Sequence, residues 1–150
     1  MREPIDWDEA DLQRLIREQI TESLTLEYKS SGALAKTDPK KAELSKDVSA
    51  FANSAGGTIV YGIAEDGRSP NMTDEGIDPA EISKEWMEQV INSTIYPKIE
   101  GLRINQISLG SRDAGLCRMY PAGNQSRSAP SQGQKILQAT RIRSRPYGGL

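Results

Sequence analysis

The sequence predicts an α/β (α+β) fold: a mixed β-sheet with packed helices, in the order α-β-α-β-α-β-β. Three observations predict it. Apolar residues recur at helical spacing in three separate segments. Short runs rich in β-branched or alternating apolar residues fall between and after them. Aspartate-proline pairs and paired glycines punctuate the boundaries. Strand runs interleaved with helical periodicity build a sheet covered by helices.

Residues 8–21 form the first predicted helix. Asp6 or Asp8 caps it, and Leu12, Leu15, Ile16 and Ile20 share one face. Residues 24–29 (LTLEYK) alternate apolar and polar, as a half-buried strand does. Residues 30–37 read as a loop. Asp38 as cap and Pro39 at the first helical position open a second helix. Leu44, Val48, Phe51, Ala52 and Ala55 are its predicted buried stripe, and Gly56 is placed to end it in a left-handed conformation. The near-continuous apolar run at 58–63 (TIVYGI) predicts a central strand, buried on both faces. Residues 64–76 are polar and turn-rich. Asp78-Pro79 repeats the cap-plus-proline signal ahead of a third helix with Ile82, Trp86, Val90 and Ile91 inward. Two last strands are expected at 102–109 and 116–120, joined by a turn at 110–115.

Composition narrows the chemistry. The chain has 150 residues, one domain's worth, with one cysteine and no histidine. A lone Cys117 forms no internal disulfide, and the N-terminus lacks a basic start followed by an apolar stretch, so a cytoplasmic location is expected. No apolar run is long enough to span a membrane. Without histidine there is no Cys/His zinc set and no Ser–His or Cys–His nucleophile pair. Catalysis would have to use carboxylates, lysines or a hard cation held by oxygen.

A family resemblance rests on three strings. Residues 22–29 read ESLTLEYK, residues 48–57 read VSAFANSAGG and run into TIVYGI, and residues 64–67 read AEDG. In this order they resemble the Schlafen/AlbA-type DNA-binding domain, also called a divergent AAA or ATP-binding domain. The AFAN-x-x-GG string at a helix end before a strand is the most specific of the three. The likeness covers roughly residues 20–120, so the chain is divided into a Schlafen/AlbA-like domain at 1–120 and an atypical basic tail at 121–150. The ATP-binding label has no G-x-x-x-x-G-K-[ST] loop behind it here.

The resemblance implies a nucleic-acid (DNA or RNA) binding module, as in a transcriptional regulator. Its candidate phosphate contacts are Lys29, Lys36, Lys40, Lys41 and Lys46, which flank the first strand and the start of the second helix. Tyr28 and Tyr61 are candidate stacking surfaces, against an ordinary packing role. An alternative is a divalent-metal-dependent endoribonuclease. Some Schlafen relatives are similar in placing acids where this chain has Glu22, Glu27 and Glu65 or Asp66, and Mg²⁺ or Mn²⁺ held there would activate water. Against that stands the abundance of acids, 21 in the chain, which makes such a coincidence easy. A third alternative is a structural or oligomerisation domain. No cofactor is expected beyond the metal of the nuclease alternative. An incomplete sheet edge would favour a homodimer.

Charge is unevenly spread. Residues 114–150 hold six Lys/Arg and no acid, whereas residues 1–113 hold 13 Lys/Arg against 21 Asp/Glu, a net of −8. Suitable synonymous codons for residues 133–150, read one base later, spell a run containing YYKR and then PME. Those strings continue the family pattern, so the basic tail is expected to be out of its native reading frame. Sequencing the encoding DNA checks this: a +1 frame that spells neither string overturns it.

Overall fold

The computed structural model describes residues 3–95 and 99–120. It is an α+β fold with three helices, α1 (Glu9–Arg17), α2 (Asp38–Ala52) and α3 (Lys84–Thr94). Its strands are β1 (Leu26–Lys29), β2 (Gly57–Tyr61), β3 (Ile63–Asp66), β4 (Ser69–Thr73), β5 (Leu102–Ser108) and β6 (Asp113–Met119). Four strands make a mixed sheet in the order β1-β2-β6-β5. β1 runs parallel to β2, and the other neighbours are antiparallel. The remaining two strands, β3 and β4, form a separate hairpin.

All five residues of β2 are buried, as its apolar run requires of a strand covered on both faces. Ile59 and Tyr61 enter one core with Leu44, Val48 and Phe51 of α2 and Met87, Val90 and Ile91 of α3. Val60 enters the other with Leu12 and Leu15 of α1, Tyr28, Leu116 and Trp7. The same alternation divides β1. Tyr28 is buried on the α1 side, and Glu27 and Lys29 point to the α2 side.

Several boundaries differ from the sequence reading. Asp8 caps α1 through a reciprocal capping box with Asp11, and Asp6 lies in a 3-10 turn at Pro4–Asp6. The helix stops at Arg17, and Gln19 takes φ +53, tied down by side-chain bonds to the carbonyls of Ile16 and Pro70. Leu24 does not join a strand and is 93% exposed. Thr37, one residue before the expected Asp38, caps α2 by accepting the Lys40 N–H. Ala55 falls in the exposed turn after α2. Asp78 closes a tight turn by accepting the Ala80 N–H, so α3 starts later, capped by Ser83. The expected strand at 58–63 breaks at Gly62, whose φ of +112 ends β2. The polar, turn-rich stretch from 64 onward carries most of the β3–β4 hairpin. The expectations for 121–150 lie outside the described residues.

The AFAN-x-x-GG corner has a packing reason. The Phe51 ring lies where a side chain on Gly57 would be: a Cβ there would stand 2.4 Å from Phe51 Cδ1, and Gly57 has φ +155. Gly57→Ala is therefore expected to lower stability by about 2–4 kcal/mol through clash and backbone strain. Urea unfolding with an unchanged slope would show it, and a loss under about 0.5 kcal/mol would refute this account.

Candidate functional site: carboxylates and lysines along the first strand

Among the described residues β1 is an outer strand, so half of its backbone groups lack a sheet partner. Glu22 covers part of this edge. Its Oε2 accepts the Tyr28 N–H at 3.1 Å, and its own N–H donates to the Arg68 carbonyl at 3.0 Å. The β3–β4 hairpin is thereby fastened beside β1. The register slips between Ala64 and Glu65, and a slip of this kind turns side chains off the regular alternation.

The structure brings Glu65 against Glu22, and the two carboxyls share a hydrogen bond. Lost hydration, that hydrogen bond and the charges of Glu22 and Glu27 push the Glu65 carboxyl up to about 7. Glu27 is also raised, first by burial, with Asp47 and Glu22 adding to it and Lys29 opposing. Its side chain turns to the other side of the cluster, 3.6 Å from Lys29 Nζ. Asp66 is exposed beyond the pair. Among the described residues no three acids or thiols form a group that could hold a metal ion as they stand. The arrangement supplies two neighbouring carboxyls, with Glu65 raised in proton affinity, and a third acid 3.6 Å from a lysine.

The lysines separate into two sets. Lys29 Nζ lies 3.3 Å from Asp47, 3.6 Å from Glu27 and 3.9 Å from Glu43. Burial works to lower its pKa, but these carboxylates, Asp47 foremost, outweigh it and hold the ammonium above its ordinary value. Lys40 pairs with Glu43 at 3.9 Å. By contrast, Lys36, Lys41 and Lys46 form no ion pair among the described residues; Lys36 and Lys46 are exposed and Lys41 half-buried.

Tyr28 and Tyr61 are packing residues and offer no stacking surface. Tyr28 is 2% exposed and its hydroxyl donates to the Ile20 carbonyl at 2.6 Å. Tyr61 is 1% exposed, and its hydroxyl has no described partner. Sequence reasoning missed Asp74, which ties the chain after β1 to the exit of the hairpin. One of its oxygens accepts the Ser31 N–H, the other the Gly76 N–H, both at 2.8 Å. An aspartate two residues before a glycine was the available signal, a side-chain-closed turn.

A mixed sheet with an acid–lysine seam along its first strand, covered by helices, defines a small α+β module. The chain belongs to the Schlafen, AlbA_2 family, whose model matches residues 22–138. That match extends into the basic C-terminal segment. Among curated proteins none matches the sequence. Among the solved structures that share the fold are these two. One is the N-terminal domain of a protein from Nitrosomonas europaea described as ATP-dependent DNA helicase RecG-related, with TM-score 0.50 and 14% identity, covering 85% of this chain and 79% of that one. The other is the DIP2311 protein from Corynebacterium diphtheriae, with TM-score 0.51 and 13% identity, covering 76% of this chain. The chain spans about a quarter, 26%, of the Corynebacterium protein.

The raised Glu65 carboxyl has a thermodynamic signature. Glu65 has a folded pKa of about 7 against 4.5 for the free side chain. A raised carboxylate pKa contributes stability below the lower value and loses it as pH climbs through the higher one. Glu65→Gln is therefore expected to stabilise the protein at pH 8 by about 1 kcal/mol, a figure reduced for the exposure of the group, and to be nearly neutral at pH 4.5. Thermal unfolding of both proteins across this range checks it; a shift independent of pH would refute it.

Proposed function

We propose that this domain binds nucleic acid, with the opening turn and outer face of α2 as a phosphate-contacting surface. One observation carries the reading. Of the five candidate lysines, two are paired with carboxylates, while among the described residues Lys36, just before α2, and Lys41 and Lys46 on it have none. The start of α2 adds the positive end of its dipole, although Pro39 has no N–H and Thr37 already takes that of Lys40. Family membership and the DNA-helicase description of the Nitrosomonas neighbour point the same way. The net charge of −8 over residues 1–113 opposes long-range attraction, so contact is local and salt-sensitive. In this reading the domain serves DNA or RNA handling in the cytoplasm, inside a larger regulator, and pairs with a second copy through an outer strand. A buried free thiol at Cys117 fits a reducing compartment. No described helix is long and apolar enough to cross a membrane.

A second reading, the metal-dependent ribonuclease, is favoured by the Glu22–Glu65 contact. Neighbouring carboxyls that raise one another's proton affinity are also relieved by a cation. Mg²⁺ or Mn²⁺ there would supply Lewis acidity toward a phosphate. Glu27, with Asp66 beside Glu65, would have to turn toward the pair to complete the ligand set.

One titration tests both. Labelled duplex DNA and structured RNA are titrated with the protein across a salt series, with and without Mn²⁺. Binding should weaken steeply with salt, and Lys41→Gln combined with Lys46→Gln should weaken it about tenfold and lower the salt slope by about 2. No retardation at about 50 mM salt overturns the binding reading. Mn²⁺-dependent cleavage, lost in Glu27→Gln, would put the nuclease reading first.

A further inference from the structure

Two arginines stand directly opposite each other on the face of the sheet away from α2. In the β5–β6 register Arg103 pairs with Arg118, and Arg118 also faces Thr58 of β2. Strand alternation puts Arg118 on the side of Ala114 and Leu116, and Arg103 on the side of Ile107, all three of which pack toward α1. Opposed side chains on neighbouring antiparallel strands have Cβ atoms about 5 Å apart, so two like charges there repel. Such a pair is ordinarily relieved by a carboxylate. Here no Asp or Glu among the described residues forms an ion pair with either arginine; Glu88 and Glu100 border the shallow grooves that Arg103 lines, yet pair with neither.

Arg118 is also incompletely satisfied. Its Nε is buried and has no hydrogen-bond partner. Its guanidinium lies over the Tyr120 ring, 4.6 Å from the centroid. Stacking holds the guanidinium plane in place while its charge stays uncompensated. The α2 lysines lie on the opposite side of the sheet and do not use this pair.

We propose that Arg103 and Arg118 seat a backbone phosphate of a single nucleic-acid strand, with a base stacked at the Arg118–Tyr120 platform. An anion between two guanidiniums removes their repulsion and takes paired N–H donors from each. The aromatic beneath Arg118 suits a strand whose bases are unpaired, because stacking asks only for an open π-face. This inference rests on the nucleic-acid reading above and adds a second contact face to it.

The test uses the full chain and a fluorescein-labelled oligo-dT of about 15 nucleotides, read by anisotropy across a salt series. Arg103→Gln and Arg118→Gln are each expected to weaken binding about tenfold and to lower the salt slope by about 1. Arg118→Lys keeps the charge, and with it the slope, but loses affinity; Tyr120→Leu loses affinity with the slope unchanged. A methylphosphonate oligo-dT, without backbone charge, should bind equally poorly to all of them. Thermal unfolding serves as control: removing one of two repelling charges should leave the midpoint unchanged or higher. A structural role would lower the midpoint in step with affinity, and that result overturns the proposal. If the arginine variants bind like the parent while the α2 lysine variant is weakened, the phosphate seat is wrong and the binding reading stands. If the parent protein binds neither this strand nor duplex DNA or structured RNA at low salt, both fall.

Discussion

The burial of β2 on both faces is the constraint on which the rest depends. A five-residue strand with no exposed position must be covered twice, and it is: by α2 and α3 over Ile59 and Tyr61, and by α1 over Val60. Two cores meet at one strand, so neither layer can shift alone. The corner that delivers the chain into β2 is correspondingly tight. Phe51 occupies the space that any side chain on Gly57 would need, which makes the glycine and the ring one packing unit.

Because β1 pairs with β2 in parallel, the character of β2 is passed to the edge of the sheet. Tyr28 continues the α1 core, and Glu27 and Lys29 are left on the α2 side. There Lys29 gathers Glu27, Glu43 and Asp47. One ammonium cannot balance three carboxylates, and a partly buried excess of negative charge is paid for in raised proton affinity. That excess meets the Glu22–Glu65 pair at the strand's outer edge, where the shift is largest among the acids. The electrostatics of the candidate site thus follow from the register of one edge strand.

The charge map then separates three surfaces. The β1 edge is acidic, with the Glu65 carboxyl raised beside Glu22. The outer face of α2 carries unpaired lysines. The far side of the sheet carries the opposed arginines of β5 and β6. A net negative domain contacts a polyanion only through such local groupings, because distant charges are screened within about 8–10 Å at ordinary salt.

Sequence alone determined the three helices, the doubly buried β2, the two-faced character of β1 and the left-handed Gly56, because each is written in local periodicity or in one residue's conformational range. It also carried the strings that mark the family. It placed the helix caps a residue or a turn away from where they fall, since Thr37 takes the Lys40 N–H, and Asp78 closes a turn on Ala80 while Ser83 takes the Trp86 N–H. Only the tertiary structure decided the β3–β4 hairpin, the contact of Glu65 with Glu22, the neutralisation of Lys29 by α2, and Arg103 facing Arg118. Each of these joins residues from different elements. Such meetings depend on strand register and helix placement, and a pattern of period two reads the same at every register until the packing selects one.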